Sequence, residues 1–221
     1  MITRVSLVAA FATLGAVAAD LTIALDRTDQ LEVRGLKSQV VEYRGRRALE
    51  LTDARKPGEN PLAMLKNVTM RDGAIEIDMA GAPAADAGEG ARGFVGIAFR
   101  VAPDAQRFEY IYLRPTNGRA DDQVRRNHSV QYASHPDYPW ERLRKEEPEK
   151  YETYADLETG AWTKVRIVVS GPRARLYLNG AAQPTLIVND LKLGNTDGGI
   201  ALWVGPGTQA HFAELKVSKT D

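Results

Sequence analysis

The chain has 221 residues, 43% of them hydrophobic, and its 29 lysines and arginines balance 29 aspartates and glutamates. The hydrophobic content is ample for a packed core, and the balanced charge gives no long-range field that would attract nucleic acid or anionic lipid. The absence of cysteine excludes disulfides, thiolate metal ligands and a cysteine nucleophile. We therefore expect a folded protein without a nucleic-acid partner.

The first 19 residues have the pattern of a secretory signal. Arg4 supplies a positive start, residues 5–19 are apolar and rich in alanine, and Ala16-Val17-Ala18 offers a small-x-small cleavage pattern. The apolar run is too short for a comfortable bilayer span, and no later segment approaches the required length. We expect a cleaved signal peptide at 1–19, a mature domain at 20–221, a periplasmic or extracellular location and no membrane span. A buried N-terminal helix is the alternative.

Short alternating segments separated by turn residues run through the mature chain. Residues 38–43 and 48–51 flank a turn at Gly45, which predicts a hairpin, and Asn179-Gly180 predicts a tight turn between two strands. Further strands are predicted at residues 75–79, 94–101, 107–114, 162–169, 173–178, 186–188, 199–204 and 210–217. Since no helix of ordinary length is indicated, the pattern predicts one all-β domain, a sandwich or jelly roll.

One segment, residues 107–140, concentrates polar-tipped rings, amides and arginines. Its first strand places Ile111 and Leu113 on the inward face, because side chains alternate at period two. The opposite face then carries Phe108, Tyr110, Tyr112 and Arg114. The remainder reads as a long polar insertion, residues 116–156, outside the core sheets, with a short helical turn near residues 141–145.

The neighbouring strand adds a prediction about shape. If residues 94–101 pair with this strand, Gly96 and Ala98 lie beside Tyr110 and Tyr112. Small residues next to large rings form a shallow floor for a ligand, unless a covering loop fills the gap. We expect Val95, Ile97, Phe99 and Val101 on the inward face of that strand.

Guanidinium groups, amides and aromatic rings suit the hydroxyls and apolar faces of a sugar. The candidate ligand-binding residues are Tyr110, Tyr112, Arg114, Asn117, Arg119, Arg126, Gln131, Tyr132, Trp140 and Trp203. Trp203 is included because strand parity places it opposite Leu202 and Val204. A structural role competes, in which the arginines fasten the loop to Asp121, Asp122 or Glu109.

Two histidines of the same segment are candidate catalytic residues. His128 and His135 are suited to act as a general base or a proton shuttle near neutral pH. Plain loop or hydrogen-bonding roles are the alternative, and their spacing, with Asp137, matches no tight metal-ligand signature. We predict no metal site and no cofactor.

Four C-terminal motifs resemble a known family. They are Gly160-Ala-Trp-Thr-Lys-Val, Ala174-Arg-Leu-Tyr-Leu-Asn-Gly, Gly199-Ile-Ala-Leu-Trp-Val-Gly and Phe212-Ala-Glu-Leu-Lys-Val. Together they resemble consecutive strands of the concanavalin A-like lectin/glucanase superfamily and, more narrowly, a bacterial secreted group similar to the 3-keto-disaccharide hydrolase domain family. The resemblance implies a jelly-roll sandwich of two antiparallel sheets that binds glycan on its concave face or rim.

One departure from that superfamily concerns catalysis. Its laminarinase-type glycanases carry Glu-x-Asp-x-x-Glu on one strand, and here Glu76 and Asp78 are followed by Gly81. The missing carboxyl is the one that protonates the leaving group, so the two-carboxylate retaining mechanism is disfavoured.

Two main functions remain open from the sequence. The first is a secreted carbohydrate-binding β-sandwich domain without turnover. The second, implied by the narrower resemblance, is a hydrolase or lyase that acts on 3-keto-glycosides or related disaccharides, in which a base removes the proton next to the keto group. An adhesion module that binds protein is a third possibility.

Overall fold

The computed structural model describes residues 20–56 and 59–220, and their strands form the two antiparallel sheets of a jelly-roll β-sandwich. In chain order the strands are β1 (Asp20–Ile23), β2 (Leu31–Arg34), β3 (Leu36–Tyr43), β4 (Arg46–Asp53), β5 (Leu62–Met70), β6 (Gly73–Pro83), β7 (Val95–Val101), β8 (Phe108–Leu113), β9 (Val130–His135), β10 (Glu152–Thr153), β11 (Thr163–Ser170), β12 (Arg173–Leu178), β13 (Leu186–Val188), β14 (Gly198–Val204) and β15 (Thr208–Lys219). The same described residues contain three short helices, α1 (Pro115–Gly118), α2 (Gln123–Asn127) and α3 (Trp140–Glu146).

The strand order brings distant parts of the chain together. One sheet runs β13-β12-β11-β6-β15-β4-β3, with β1 also paired to β15, and the other runs β10-β9-β8-β7-β14-β5-β2. The all-β prediction is confirmed. The signal peptide predicted at 1–19 lies outside the described residues, and within those residues no helix is long and apolar enough to cross a bilayer.

Backbone conformation explains why the predicted turns form. The β3–β4 hairpin turns at Arg44 and Gly45, whose φ angles are 47° and 75°, and Asn179 and Gly180 have φ angles of 51° and 76°. Two successive positive φ values are the signature of the tight turn whose twist matches that of antiparallel strands. Both turn predictions are therefore confirmed.

The inward-facing residues of β7 follow the predicted alternation until a bulge interrupts it. Val95, Ile97 and Phe99 pack in the core between the sheets. Arg100 has a φ of 53°, and after it Val101 packs on the outer face of the sheet. The prediction of an inward Val101 is wrong, because one residue in the left-handed region shifts the side chains that follow.

A buried ion pair closes one end of the sandwich. Glu109, fully buried, accepts hydrogen bonds from the Tyr132 hydroxyl at 2.8 Å and the Leu193 amide at 2.9 Å, and lies 3.4 Å from Arg100. Arg100 also donates to the carbonyl oxygen of Gly171 at 2.6 Å. Burial raises the pKa of Glu109, opposed by these donors. The network fastens two loops to β7 and β8.

The prediction that residues 116–156 lie outside the sheets is wrong in part. β9 pairs with β8 along its whole length, and β10 pairs with β9. The sequence hid this strand because Gln131 and Ser134 are polar, although both are buried. The short helical turn near residues 141–145 is confirmed as α3, and β6 continues to Pro83, beyond the strand predicted at residues 75–79.

Candidate functional site

The outer face of the seven-stranded sheet carries a layer of aromatic rings. Gly96 of β7 pairs with Tyr112 of β8 on one side and with Trp203 of β14 on the other. The two rings approach over the glycine, with 4.8 Å between their centroids. A Cβ atom on Gly96 would lie 2.6 Å from the Tyr112 Cβ and the Ile111 carbonyl oxygen. The close packing of the two rings therefore requires glycine at this position.

Tyr110 completes this layer and is less deeply buried than Tyr112 and Trp203. It pairs with Ala98, and its ring centroid lies 5.0 Å from that of Trp203 and 5.4 Å from that of Tyr112. Burial raises the pKa of the Tyr110 hydroxyl to about 12, so it stays protonated. The rings themselves occupy the space above Gly96 and Ala98, in place of the predicted open floor.

Arg114 follows β8 and connects the aromatic layer to the segment that contains His128 and Gln131. Its guanidinium donates to the Tyr112 hydroxyl at 2.8 Å, to the His128 carbonyl oxygen at 3.1 Å and to the Gln131 side-chain oxygen at 3.4 Å. It lies 5.6 Å from the centroid of the Trp140 ring. Only 5% of the residue is exposed, and burial lowers the pKa of Arg114. The cation is therefore fixed in position.

A cavity of about 360 Å³ opens above Arg114. Its lining comes from the loop before β7, the residue after β8, the residue after α2 and all three helices. The lining residues are Gly90, Arg92, Phe94, Arg114, Asn117, Val124, Arg125, His128, Trp140 and Arg144. Four of these are residues that the sequence singled out: Arg114, Asn117, Trp140 and His128.

His128 lies in the cavity wall beside Glu152 of β10. The His128 Nδ1 lies 2.9 Å from the Glu152 carboxylate, although the angle is not that of a hydrogen bond. Arg144 donates to both oxygens of the same carboxylate, at 2.6 to 3.2 Å. Burial lowers the pKa of His128, and Glu152 opposes the shift. The imidazole is therefore neutral at neutral pH and able to accept a proton.

The structure separates the two candidate histidines. His135 ends β9, whereas His128 precedes the start of that strand, so they lie on the order of 20 Å apart at the rise of an extended chain. His135 stacks on Phe108 with 4.9 Å between ring centroids, and its Nε2 lies 3.1 Å from the Asn60 amide. The two imidazoles cannot act on the same bond.

Four of the other predicted ligand-binding residues have structural contacts. Tyr132 is buried between the sheets, where a ligand on the outer face cannot reach it, and Gln131 is buried against Arg114. Arg119 is exposed and pairs with Asp156 at 2.7 Å and Glu158 at 3.0 Å. It therefore fastens the loop, as the structural alternative predicted, but to carboxylates other than those named there. Arg126 donates to the Tyr154 hydroxyl at 2.8 Å.

The carboxylates of β6 form no catalytic pair. Asp78 is bound by Arg46 at 2.8 Å, and Glu76 is half-buried beside Arg166. Gly81 has no room for a carboxylate, because a Cβ atom there would lie 2.2 Å from the Gly93 carbonyl oxygen. The packing of β6 thus excludes the acid/base residue of the laminarinase pattern.

Sequence reasoning did not predict the positions of several polar residues that the fold assembles. Arg92, Arg125 and Arg144 join the cavity, since each comes from a different segment. The histidine His211 lies on the outer face of the eight-stranded sheet, 3.1 Å from Glu50 and stacked against Tyr43. Only strand pairing, through the register His211 to Glu50, places this last group together.

Comparison with known proteins identifies the fold. No protein-family model matches the chain, and no curated protein matches it at a significant level. Among solved structures, the carbohydrate-binding module CBM66 from Bacillus subtilis is 13% identical with a TM-score of 0.54, over 85% of this chain and 98% of that chain. A protein of unknown function with a galectin-like fold from Bacillus subtilis is 10% identical with a TM-score of 0.58, over 90% and 94%. The Crh5 transglycosylase in complex with NAG is 16% identical with a TM-score of 0.56, over 94% and 86%. At these identities the similarity shows the fold alone.

The packing of Gly96 yields a direct test of the aromatic layer. Gly96→Ala is expected to lower the free energy of unfolding by about 1–3 kcal/mol, because the new methyl group overlaps Tyr112 and a strand carbonyl. Gly88→Ala is the matched control, since nothing lies within 4 Å of its added Cβ. Urea denaturation of both variants checks the prediction, and equal stability would show that the rings do not close over Gly96.

Proposed function

We propose that this protein is a secreted carbohydrate-binding domain that takes its ligand in the arginine- and tryptophan-lined cavity above Arg114. The observation that carries the proposal is the side-chain set around that cavity. A half-buried indole at Trp140, an amide at Asn117 and the buried guanidinium of Arg114 face one space of about 360 Å³. Ligand sites commonly combine apolar lining with a few fixed polar groups in this way.

Pre-organisation supports the proposal. Arg114 is held by the Tyr112 hydroxyl, and Tyr112 is held in turn by the ring of Trp203. The Asn117 amide donates to the His128 carbonyl oxygen at 3.2 Å, which fixes its orientation. Since these groups are already ordered, little conformational entropy is lost when a ligand forms hydrogen bonds with them.

Similar folds support a carbohydrate ligand as well. CBM66 is a carbohydrate-binding module, and the Crh5 transglycosylase was solved with NAG. Secretion rests on the apolar, alanine-rich pattern of residues 1–19. A carbohydrate ligand outside the cytoplasm agrees with both observations.

The first functional test replaces the indole of the cavity. Trp140→Ala is expected to weaken the binding of the preferred oligosaccharide about ten- to a hundredfold, the loss of one good stacking contact, while the melting temperature changes little. Isothermal titration calorimetry across a panel of oligosaccharides measures the affinity.

Trp162→Ala is the matched control for that test. Trp162 is also half-buried and has an arginine, Arg46, 4.8 Å from its ring centroid, but it lies beside the eight-stranded sheet. The affinity of the Trp162→Ala variant for the same oligosaccharide should equal that of the unaltered protein. Loss of binding in this variant alone would move the site to the other sheet, and the absence of binding to every oligosaccharide would refute the proposal.

A second candidate, a hydrolase or lyase acting on 3-keto-glycosides, is favoured by the His128–Glu152 pair. The neutral imidazole of His128 lines the cavity, with a carboxylate 2.9 Å behind its Nδ1. A keto group at C3 acidifies the C2–H bond, so His128 would take that proton and the electron pair would expel the group on C1. A carboxylate this close would stabilise the imidazolium that forms when His128 takes the proton.

The enzymatic candidate predicts a difference between the two histidines. His128→Ala should lower the turnover of a 3-keto-glucoside by roughly 10²-fold, since general-base catalysis is lost, whereas His135→Ala should retain it. Turnover should fall on the acid side of the lowered pKa of His128, because protonated imidazole accepts no proton. The rate is measured as release of the aglycone, which is detected by chromatography. Binding without release from any keto substrate would leave the carbohydrate-binding function alone.

A further inference from the structure

The charge of the cavity is unlike that of the chain as a whole. The chain has a formal net charge of zero, yet four of the ten lining residues are arginines. None of these ten described residues is an aspartate or a glutamate. The positive charge is therefore local, and a general excess of basic residues does not explain it.

Most of these arginines have no carboxylate partner among the residues that the structure describes. Arg114 donates to a hydroxyl, a carbonyl and an amide oxygen, and Arg92 donates to the carbonyl oxygens of Glu89 and Ala91. Arg125 donates to the Asn117 side-chain oxygen at 3.4 Å, while its buried Nε has no partner. Arg144 alone of the four is paired, with Glu152.

The positive charge of these arginines is not balanced by negative charge within the cavity lining. Burial lowers the pKa of Arg114, and the positive charge of Arg144 acts in the same direction. The Glu152 carboxylate, which opposes the shift, is already bound through both oxygens by Arg144. Confining cations without counter-charge is unfavourable, and an anion in the cavity would relieve that cost.

We propose that the ligand of this cavity is an acidic carbohydrate, whose carboxylate or sulfate oxygens are bound by Arg92 and Arg125 above the charge of Arg114. The planar guanidinium fork matches two oxygens of such a group, which gives orientation as well as affinity. Trp140 and Phe94 supply the apolar wall for the sugar ring. The inference rests on the proposed carbohydrate-binding function and names the class of sugar.

The test compares matched sugars by calorimetry with the mature chain at low ionic strength. Digalacturonic acid, α-1,4-galactobiose and a 6-sulfated galactobiose share a scaffold and differ in charge, and glucose- and mannose-based sets are treated likewise. We expect an acidic member to bind at least about tenfold more tightly than its neutral counterpart, and this preference to shrink with added salt. The better of the carboxylate and sulfate forms identifies the anionic group.

Two arginine variants locate the effect. Arg125→Ala should lower the affinity for the acidic sugar about tenfold or more and leave that for the neutral sugar almost unchanged. Arg142→Ala, on the same short helix as Arg144 but exposed and paired with Glu146, should change neither. An Arg125→Ala variant that loses acidic and neutral binding equally would contradict the assignment.

The outcomes separate the two proposals. Equal or tighter binding of neutral sugars overturns the acidic-ligand inference and leaves the carbohydrate-binding proposal standing. The absence of binding to any member of the panel overturns both.

Discussion

The hydrogen bond from Arg114 to the Tyr112 hydroxyl joins the fold to the candidate site. Tyr112 is packed against Trp203 because Gly96, between them, has no side chain. The other face of the same strand packs Ile111 and Leu113 into the core. β8 therefore supplies core and aromatic-layer residues, and the residue that follows it, Arg114, supplies the fixed cation, so the cavity takes its position from that strand.

The sequence predicted this strand well because period-two alternation is a local property. The faces of β8, the pairing of β7 with β8 and the two tight turns follow from residue type and spacing alone. Val101 broke the pattern, since nothing in the residue type of Arg100 announces a positive φ. β9 was missed for a different reason. The buried Gln131 amide donates to the carbonyl oxygens of Tyr132, its chain neighbour, and of Tyr151, which only the fold brings near.

The site was less predictable, because it is assembled from separate segments. The sequence found Arg114, Asn117, His128 and Trp140, which share one run of chain from the end of β8 to the start of α3. It did not find Arg92, which precedes β7, or Glu152, whose place behind His128 depends on the pairing of β10 with β9. It also grouped His128 and His135 as candidate catalytic residues of one segment, although the whole of β9 separates them. Proximity in sequence thus predicted which kinds of residue line the site, but it did not predict the distances between them.

The central claim is that a sugar binds in the cavity above Arg114, and a crystal structure of the protein with a bound oligosaccharide tests it most directly. The account predicts a sugar ring against Trp140, with an anionic group within hydrogen-bond distance of Arg92 or Arg125. A sugar bound instead on the eight-stranded sheet, beside Glu50 and His211, would contradict it.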